Sequence, residues 1–563
     1  MKRNFWQKIV LVAIFTIAFL LMIFSCFKDS QTTDEAIHLF AGYTYLTKGD
    51  FRLDTEHPPL LKEISALPLL AFKNLEIPLG SLWNEAGNFY YDSWYEARVL
   101  SENFFYSLGN DPTKLLFWGR LPFVMLTLLL GFAGFLWAKK LYGMKSGIFA
   151  AFLILFFPNI LAHGRLINTD LGLTFFMFLT VYLWGNFLKK PNFLNLFFSG
   201  LSLGLILSSK FTGLIVLPIL FLLFLIRALI FEKQKSKFLL KYFIGFMGAL
   251  LISFVVIWAS YGFSIKTPTL VPPGFIGEYF WGNFQLTSSL TDFLDKARVL
   301  FFPAEFYKGI YLVFRHAAVG HSSYLFGQLS NNGWWYYFPV TIFYKTPIPI
   351  FFFLIFTIIF WKKIRAKELF DEVLLILPPI MFLVFAMFSK ADLGIRHILP
   401  IFPFLFVFIS KSINLFDISK LKKVNIKTKV FSIVFLCLIA WYFISALISF
   451  PNYLAYFNEF AGGQKNGYKI LTDSNLDWGQ DIYRLKKYLG DNKIEKVYLV
   501  YPWDGDKALE HYGINFEPLY SENKNIKGPV VISATYFESG SYSWLKKYPF
   551  EQITPGLFIF ELN

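Results

Sequence analysis

Cysteine and charge are both scarce in this chain of 563 residues, and each shortage excludes something. The two cysteines, Cys26 and Cys437, both lie inside apolar runs, so there is no disulfide framework and no thiol spacing for a metal. They read as small packing or lipid-facing residues. Charged residues make up 16% of the chain, against about a quarter in ordinary water-soluble domains. With 55% hydrophobic and 21% aromatic residues, the chain has more apolar surface than a water-soluble core needs. Its solvent is a bilayer. Acidic residues (38) are fewer than basic ones (53), giving a net charge of +15. The Lys and Arg fall in short clusters between apolar runs and form no basic face, which argues for membrane topology and against nucleic acid as a partner. Neither an internal repeat nor a low-complexity linker is present.

What the chain does have is apolar runs. The first, Ile9 to Phe27, follows Lys2 and Arg3, exceeds the ~7–15 residues of a signal-peptide core and has no clear cleavage site behind it. It reads as a retained anchor. Further runs lie near 115–138, 146–162, 169–188, 193–209, 211–231, 239–260, 336–361, 370–388, 397–414 and 429–450. Most approach the ~20 residues that a helix needs to cross a ~30 Å hydrocarbon core. Every second connection is basic: Lys139, Lys140 and Lys145; Lys189 and Lys190; Lys233, Lys235, Lys237 and Lys241; Lys362, Lys363, Arg365 and Lys367; Lys420, Lys422, Lys423, Lys427 and Lys429. By the positive-inside rule the N-terminus is cytoplasmic in a multi-pass protein of the plasma membrane.

The fold class expected is a polytopic α-helical membrane protein of about eleven spans. Residues 1–450 form the transmembrane domain, with outer loops at 28–114 and 262–334, and residues 451–563 form a small extracytoplasmic α/β domain. In that last piece the strand-like runs Lys496–Val500 and Val530–Ala534 surround an amphipathic helix from Ile482 to Leu489.

Polar residues with chemical potential collect on the outer side of this topology. Thr33-Asp34-Glu35 puts two adjacent carboxylates just after the first run, where they fit either a site or a helix start. In Asp54-Thr55-Glu56-His57-Pro58-Pro59, Glu56 and His57 offer a carboxylate and an imidazole on a proline-fixed backbone. That pair suits a metal, a lipid headgroup or a structural turn equally, so a divalent cation is a candidate cofactor without a defined ligand set. His163-Gly164-Arg165-Leu166-Ile167-Asn168-Thr169-Asp170 leads into a helix whose cap is expected at Thr169 or Asp170. Arg120, Arg396 and His397 stand at outer helix ends, and Lys345 lies about ten residues inside a run, ~15 Å along a helix. A cation at that depth needs a partner or a wet cavity. Converging cations suit an anionic headgroup, most simply a phosphate. In Asp473-Ser474-Asn475-Leu476-Asp477-Trp478-Gly479-Gln480-Asp481 the calcium-loop spacing is absent, and Asp481 or a neighbour is expected to cap the helix that follows.

An Asp-Glu pair after the first helix, a later Glu-His-Pro-Pro and an Arg-x-x-x-Thr-Asp before the fourth helix form an ordered set. The set resembles the membrane glycosyltransferases of the C fold that use polyprenyl-phosphate sugars. Among these the chain is most similar to the dolichyl-phosphate-mannose protein mannosyltransferase-like family, which includes the aminoarabinose transferases of lipid A, and the resemblance spans helices one to ten. His321-Ser322-Ser323-Tyr324-Leu325-Phe326-Gly327, Gly333-Trp334-Trp335-Tyr336-Tyr337-Phe338-Pro339 and Leu393-Gly394-Ile395-Arg396-His397-Ile398-Leu399-Pro400 narrow it to a bacterial and archaeal branch.

The resemblance implies inverting transfer from a polyprenyl-phosphate-linked donor to a protein, lipid or glycan hydroxyl outside the membrane. It implies Asp34 as catalytic base, Glu35 as its neighbour and Asp170 as a residue holding acceptor or donor. Glu56 matches a carboxylate near the site in related transferases, and His57 stands where some relatives have Lys. Arg120, Arg165, Arg396 and Lys345 then become candidates to stabilise the departing phosphate. The other reading, a transporter or flippase of a polyprenyl-linked lipid, expects inverted repeats and midplane charges, which the sequence lacks.

Overall fold

Lipid offers no partner for a backbone N–H or C=O, so the apolar runs fold as helices that satisfy both internally. The computed structural model describes residues 2–86, 93–264, 303–416, 426–502 and 506–562. Half of the expected second loop, residues 265–302, and the basic residues Lys420, Lys422 and Lys423 lie outside the described residues. Among the described residues, seven helices are long and apolar enough to cross a bilayer: Phe5–Cys26, Pro112–Tyr142, Thr169–Lys189, Phe211–Phe231, Lys235–Ser260, Leu369–Met387 and Lys429–Ile448. An eighth span exists if Tyr337–Lys345 and Ile348–Ile359 are counted together, although they are bent by 105°. The bend falls at Thr346, which is extended because the ring of Pro347 disfavours helical geometry in the residue before it. Lys345 therefore sits at a helix end and not in mid-span. The run at 146–162 is likewise broken by Pro158, and Met144–Leu155, Phe193–Leu207 and Ile401–Leu415 are shorter apolar helices. The chain is a multi-pass helical membrane protein with an α/β region at its C-terminal end.

The helices show two faces. On Pro112–Tyr142, Met125, Leu129, Phe132 and Leu136 recur every three or four residues on an exposed apolar stripe, while Leu126, Leu130 and Ala138 are buried. Charges separate to the two ends of the bundle, as Asp170 and Lys189 do on one helix. At the Lys189 end, Lys189 meets Asp371 at 2.5 Å and the buried Lys411 meets Glu372 at 2.5 Å. Glu372 also accepts bonds from the Tyr142 hydroxyl and the Ala366 amide.

At the opposite end one buried pair organises the chain. Glu35 accepts Arg120 Nε on Oε1 (2.8 Å) and Arg120 Nη2 on Oε2 (2.6 Å), and also takes the amides of Thr32 and Ile167. Arg120 spends its remaining donors on the carbonyls of Cys26, Asp29 and Ser30. Gly119, the residue before Arg120, packs closely, and a Cβ there would stand 2.7 Å from the Ile167 side chain and 2.9 Å from that of Leu39. Nearby, Asp29 bonds Arg165 and Arg484, which joins the first loop to the C-terminal region.

That region contains a mixed sheet. Strands β1 (Ser323–Leu325) and β2 (Gln328–Ser330) form a separate hairpin. Strands β3 (Val497–Val500), β4 (Phe516–Pro518), β5 (Gly528–Ser533), β6 (Glu551–Thr554) and β7 (Leu557–Leu562) lie in the order β4-β3-β5-β7-β6. β3 runs parallel to β4 and β5, while β7 is antiparallel to β5 and β6, with Val531 opposite Ile559. The helix Ile482–Asp491 lays Ile482, Leu485 and Leu489 on the sheet, as its sequence period predicts. Asp481 occupies its N-cap position, but its side chain makes no capping bond. It binds Arg484 and the Thr554 hydroxyl, and the first helix amide, that of Ile482, donates to Ser30 Oγ.

Between the last long helix and the sheet, residues 451–481 are threaded through the polar end of the bundle. Lys345 Nζ donates to the carbonyls of Leu454 (2.7 Å) and Asn475 (2.5 Å), and Asn458 bonds the Phe343 and Thr346 carbonyls.

Removing one member of a buried ion pair strands the other at about 3–5 kcal/mol. Glu35→Ala is therefore expected to lower the thermal midpoint of the detergent-solubilised protein by many degrees, and an unchanged midpoint would contradict the central role of the pair. In the C-terminal region burial, with the Asp481 charge beside it, pushes the Asp477 carboxyl up to about 7. An unfolded Asp titrates near ~3.9, so between these values the folded protein holds a proton that the unfolded one lacks. Stability from this group is present at acid pH and is lost as pH rises towards 7. Asp477→Asn should raise the midpoint at pH 8 and change it much less at pH 5; equal shifts at both would refute the assignment.

Candidate functional site

Four separate stretches of chain bring opposite charges together at the polar end of the bundle. Asp34 stands in the first turn of the helix Thr33–Lys48, where an anion is favoured by the helix N-terminus. Asp170 stands in the first turn of Thr169–Lys189, but neither it nor Thr169 is the cap. Asn168 lies one residue earlier and takes that role, its Oδ1 accepting the amides of Asp170 (3.0 Å) and Leu171 (3.1 Å). The Asp170 carboxylate is thereby left for other partners.

Those partners are cations. Lys210 Nζ lies 2.6 Å from Asp170 Oδ1, and Arg396 Nη1 lies 3.6 Å from Asp170 Oδ2 and 3.1 Å from Asp34 Oδ2. One guanidinium thus bridges two carboxylates. Arg396 belongs to the turn Ile395–Ile398, entered through Gly394 at φ 138°, a backbone that L side chains rarely adopt. A Cβ on Gly394 would also come within 2.8 Å of Ser474 Oγ, the atom that accepts Arg396 Nε at 3.1 Å. On its other side the guanidinium carbon lies 4.2 Å from the centre of the Trp478 ring.

The two acids differ in access. The Asp34 side chain is 22% exposed and that of Asp170 only 1%. Asp34 can touch a substrate; Asp170 is placed to hold Arg396 and Lys210.

The remaining sequence candidates divide. His57 is half-buried with its Nδ1 enclosed, its ring lies 5.3 Å from that of His38, and desolvation pushes its pKa well below the usual histidine range. Asp54 pairs with His38 at 2.7 Å and Lys62 at 3.3 Å. Burial opposes ionisation there, but Lys62 and His38 outweigh it and hold the Asp54 carboxyl well below the carboxylate range. Lys62 also donates to the His57 carbonyl, so the proline-containing loop is clamped from beneath. Glu56 points elsewhere, to His316 Nδ1 at 2.7 Å. Glu56 and His57 therefore do not converge, and among the described residues no three His, Cys, Asp or Glu side chains are arranged to hold a metal ion. His397 is adjacent to Arg396 in the same turn, with its Nε2 buried and without a hydrogen-bond partner.

Glu35, Arg120, Arg165 and Lys345 lie in the interior with 0–1% of each side chain exposed or, for Lys345, buried completely. Their charges are spent on one another, on Asp29 and on backbone carbonyls. Of the four cations expected around a phosphate, only Arg396 faces the acid pair. Lys210 was not expected from sequence. Its signal is a lone cation in Ser208-Ser209-Lys210, between two apolar runs on the side of the topology opposite the lysine clusters.

Residues 104–259 match the family described as dolichyl-phosphate-mannose-protein mannosyltransferase. No curated protein matches the chain. Among solved structures, the chain is similar to ArnT from Cupriavidus metallidurans bound to undecaprenyl phosphate, at 12% identity and a TM-score of 0.48, covering 98% of this chain and 97% of that one. It is similar to the oligosaccharyltransferase AglB from Archaeoglobus fulgidus in complex with an inhibitory peptide and a dolichol-phosphate, at 14% identity and a TM-score of 0.49, covering 97% and 73%. It is also similar to the S. cerevisiae protein O-mannosyltransferase Pmt1-Pmt2 complex bound to the sugar donor, at 18% identity and a TM-score of 0.33, covering 46% and 33%. Over residues 104–259, the stretch that carries Arg120, Arg165, Asp170 and Lys210, the chain resembles the dolichyl-phosphate-mannose-protein mannosyltransferases.

Proposed function

We propose that the protein is an inverting glycosyltransferase that moves a sugar from a polyprenyl-phosphate carrier to a hydroxyl acceptor on the non-cytoplasmic side of the membrane. The observation that carries this reading is the unequal pair of acids: Asp34 partly open, Asp170 enclosed, with Arg396 between them. The family match over residues 104–259 supports the same chemistry. The separation of basic connections to the opposite end of the helices supports the orientation, by the positive-inside rule.

A hydroxyl is a poor nucleophile at neutral pH. A positioned carboxylate that takes its proton during attack contributes about 10²–10⁴-fold. Asp34 takes that proton. The acceptor oxygen bonds to the anomeric carbon from the face opposite the carrier, and the bond from that carbon to the phosphate oxygen breaks with its electron pair moving to the phosphate. The sugar inverts. Negative charge builds on the departing phosphate, and Arg396 and Lys210 are the cations beside the acid pair that can meet it. Arg396 then shifts its charge from carboxylate towards phosphate as the step proceeds, an interaction strongest in the transition state. Asp170 keeps both cations in place.

In proteoliposomes supplied with polyprenyl-phosphate sugars, Asp34→Asn is expected to cut transfer by about 10²-fold or more while insertion and yield stay normal. Unchanged transfer would remove Asp34 from the base role. Asp170→Asn is expected to weaken donor use as well as turnover, since both cations lose their anchor. NMR of the product should show the anomeric configuration opposite to that of the donor; retention would refute a single displacement.

A further inference from the structure

Resting on the proposed reading of the site, we infer that Trp478 is a positioning residue for the transfer, so that a segment beyond the last long helix completes the active site. Trp478 lies beyond the last long helix, in the piece the sequence marks as a separate domain, yet its indole is 2% exposed and forms one wall of the acid site. The ring covers the Arg396 guanidinium at 4.2 Å, an attraction that gains strength when both partners are out of water. Four residues earlier, Ser474 accepts Arg396 Nε at 3.1 Å. Between them, Asn475 Oδ1 takes the Ile395 amide at 3.0 Å, fixing the backbone from which Arg396 springs.

The same tryptophan also sets the other side of the site. Its carbonyl accepts both the amide (3.0 Å) and the hydroxyl (3.2 Å) of Thr33, the residue before Asp34. Its amide is held by Gln480 Oε1 at 2.7 Å, and the neighbouring carbonyls of Gly479 and Gln480 bond Ser30. Trp478 thus fixes the acid by its backbone and the guanidinium by its ring. No other residue among those described joins the two in this way. A guanidinium lying between two carboxylates has more than one pairing open to it. The indole face, with Ser474 on the edge, selects the one that reaches Asp34 and Asp170 together.

Loss of the ring loosens Arg396 without removing its charge, so the effect falls on turnover more than on donor binding. In the proteoliposome assay Trp478→Leu is expected to lower kcat roughly tenfold to thirtyfold with little change in donor KM, and Trp478→Phe to recover most of that loss. In an Arg396→Gln background, Trp478→Leu should add almost nothing, because the ring then has no guanidinium to place. Full turnover in Trp478→Leu overturns the inference, and so does an equal loss in both backgrounds, which signals undocking of the C-terminal region. If Asp34→Asn also transfers at the wild-type rate, the reading of the site fails and this inference fails with it. If Asp34→Asn is dead while Trp478→Leu is fully active, only the role of Trp478 is refuted.

Discussion

A charge taken out of water into a helical bundle must find an opposite charge or a full set of hydrogen bonds, and the polar end of this molecule is arranged around that requirement. The Glu35–Arg120 pair meets it most completely. Both side chains are enclosed, both guanidinium edges are used, and the first loop, the long helix Pro112–Tyr142 and the turn at Ile167 are drawn to one point. Asp34 is the residue immediately before Glu35. Its carboxylate is presented to the site because its neighbour is locked behind it.

This separates two kinds of cation that look alike in sequence. Arg120, Arg165 and Lys345 are enclosed with buried partners, Glu35, Asp29 and backbone carbonyls, and hold loops and the 451–481 segment in place. Arg396 and Lys210 are balanced against two acids, and one of those acids, Asp34, is partly exposed. The first group makes the second possible. Lys345, at the end of a short helix bent away from its successor, clamps the Asn475 carbonyl, and Asn475 in turn fixes the turn that carries Arg396.

Much of this was legible in the chain. Hydropathy marked the helices and the change at Pro451, and Asp34, Asp170 and Arg396 stood out as ionisable groups at helix ends on one side of the charge pattern. Pairing was not legible, because it depends on contacts between residues hundreds of positions apart. Glu35 and Asp34 are adjacent and chemically alike, yet one is a buried tie and the other faces the site. Lys210 escaped notice as a single residue in a short turn, and Trp478 because tryptophan in a loop of three aspartates gives no sign of the cation it will cover. Span lengths misled where prolines broke continuous apolar runs, at Pro158 and Pro347. The capping residues were misplaced because Asn168 serves as well as Thr169 or Asp170 and lies first in the chain.

In the proposed reaction the phosphate of a lipid carrier meets the cations beside the acid pair and not the cations buried as ties. A cryo-EM structure of the protein with bound polyprenyl phosphate addresses it directly. The phosphate is expected within hydrogen-bond reach, about 3 Å, of Arg396 or Lys210 and beside Asp34. A phosphate seated on Arg120, Arg165 or Lys345, with the Arg396 bridge undisturbed, would contradict it.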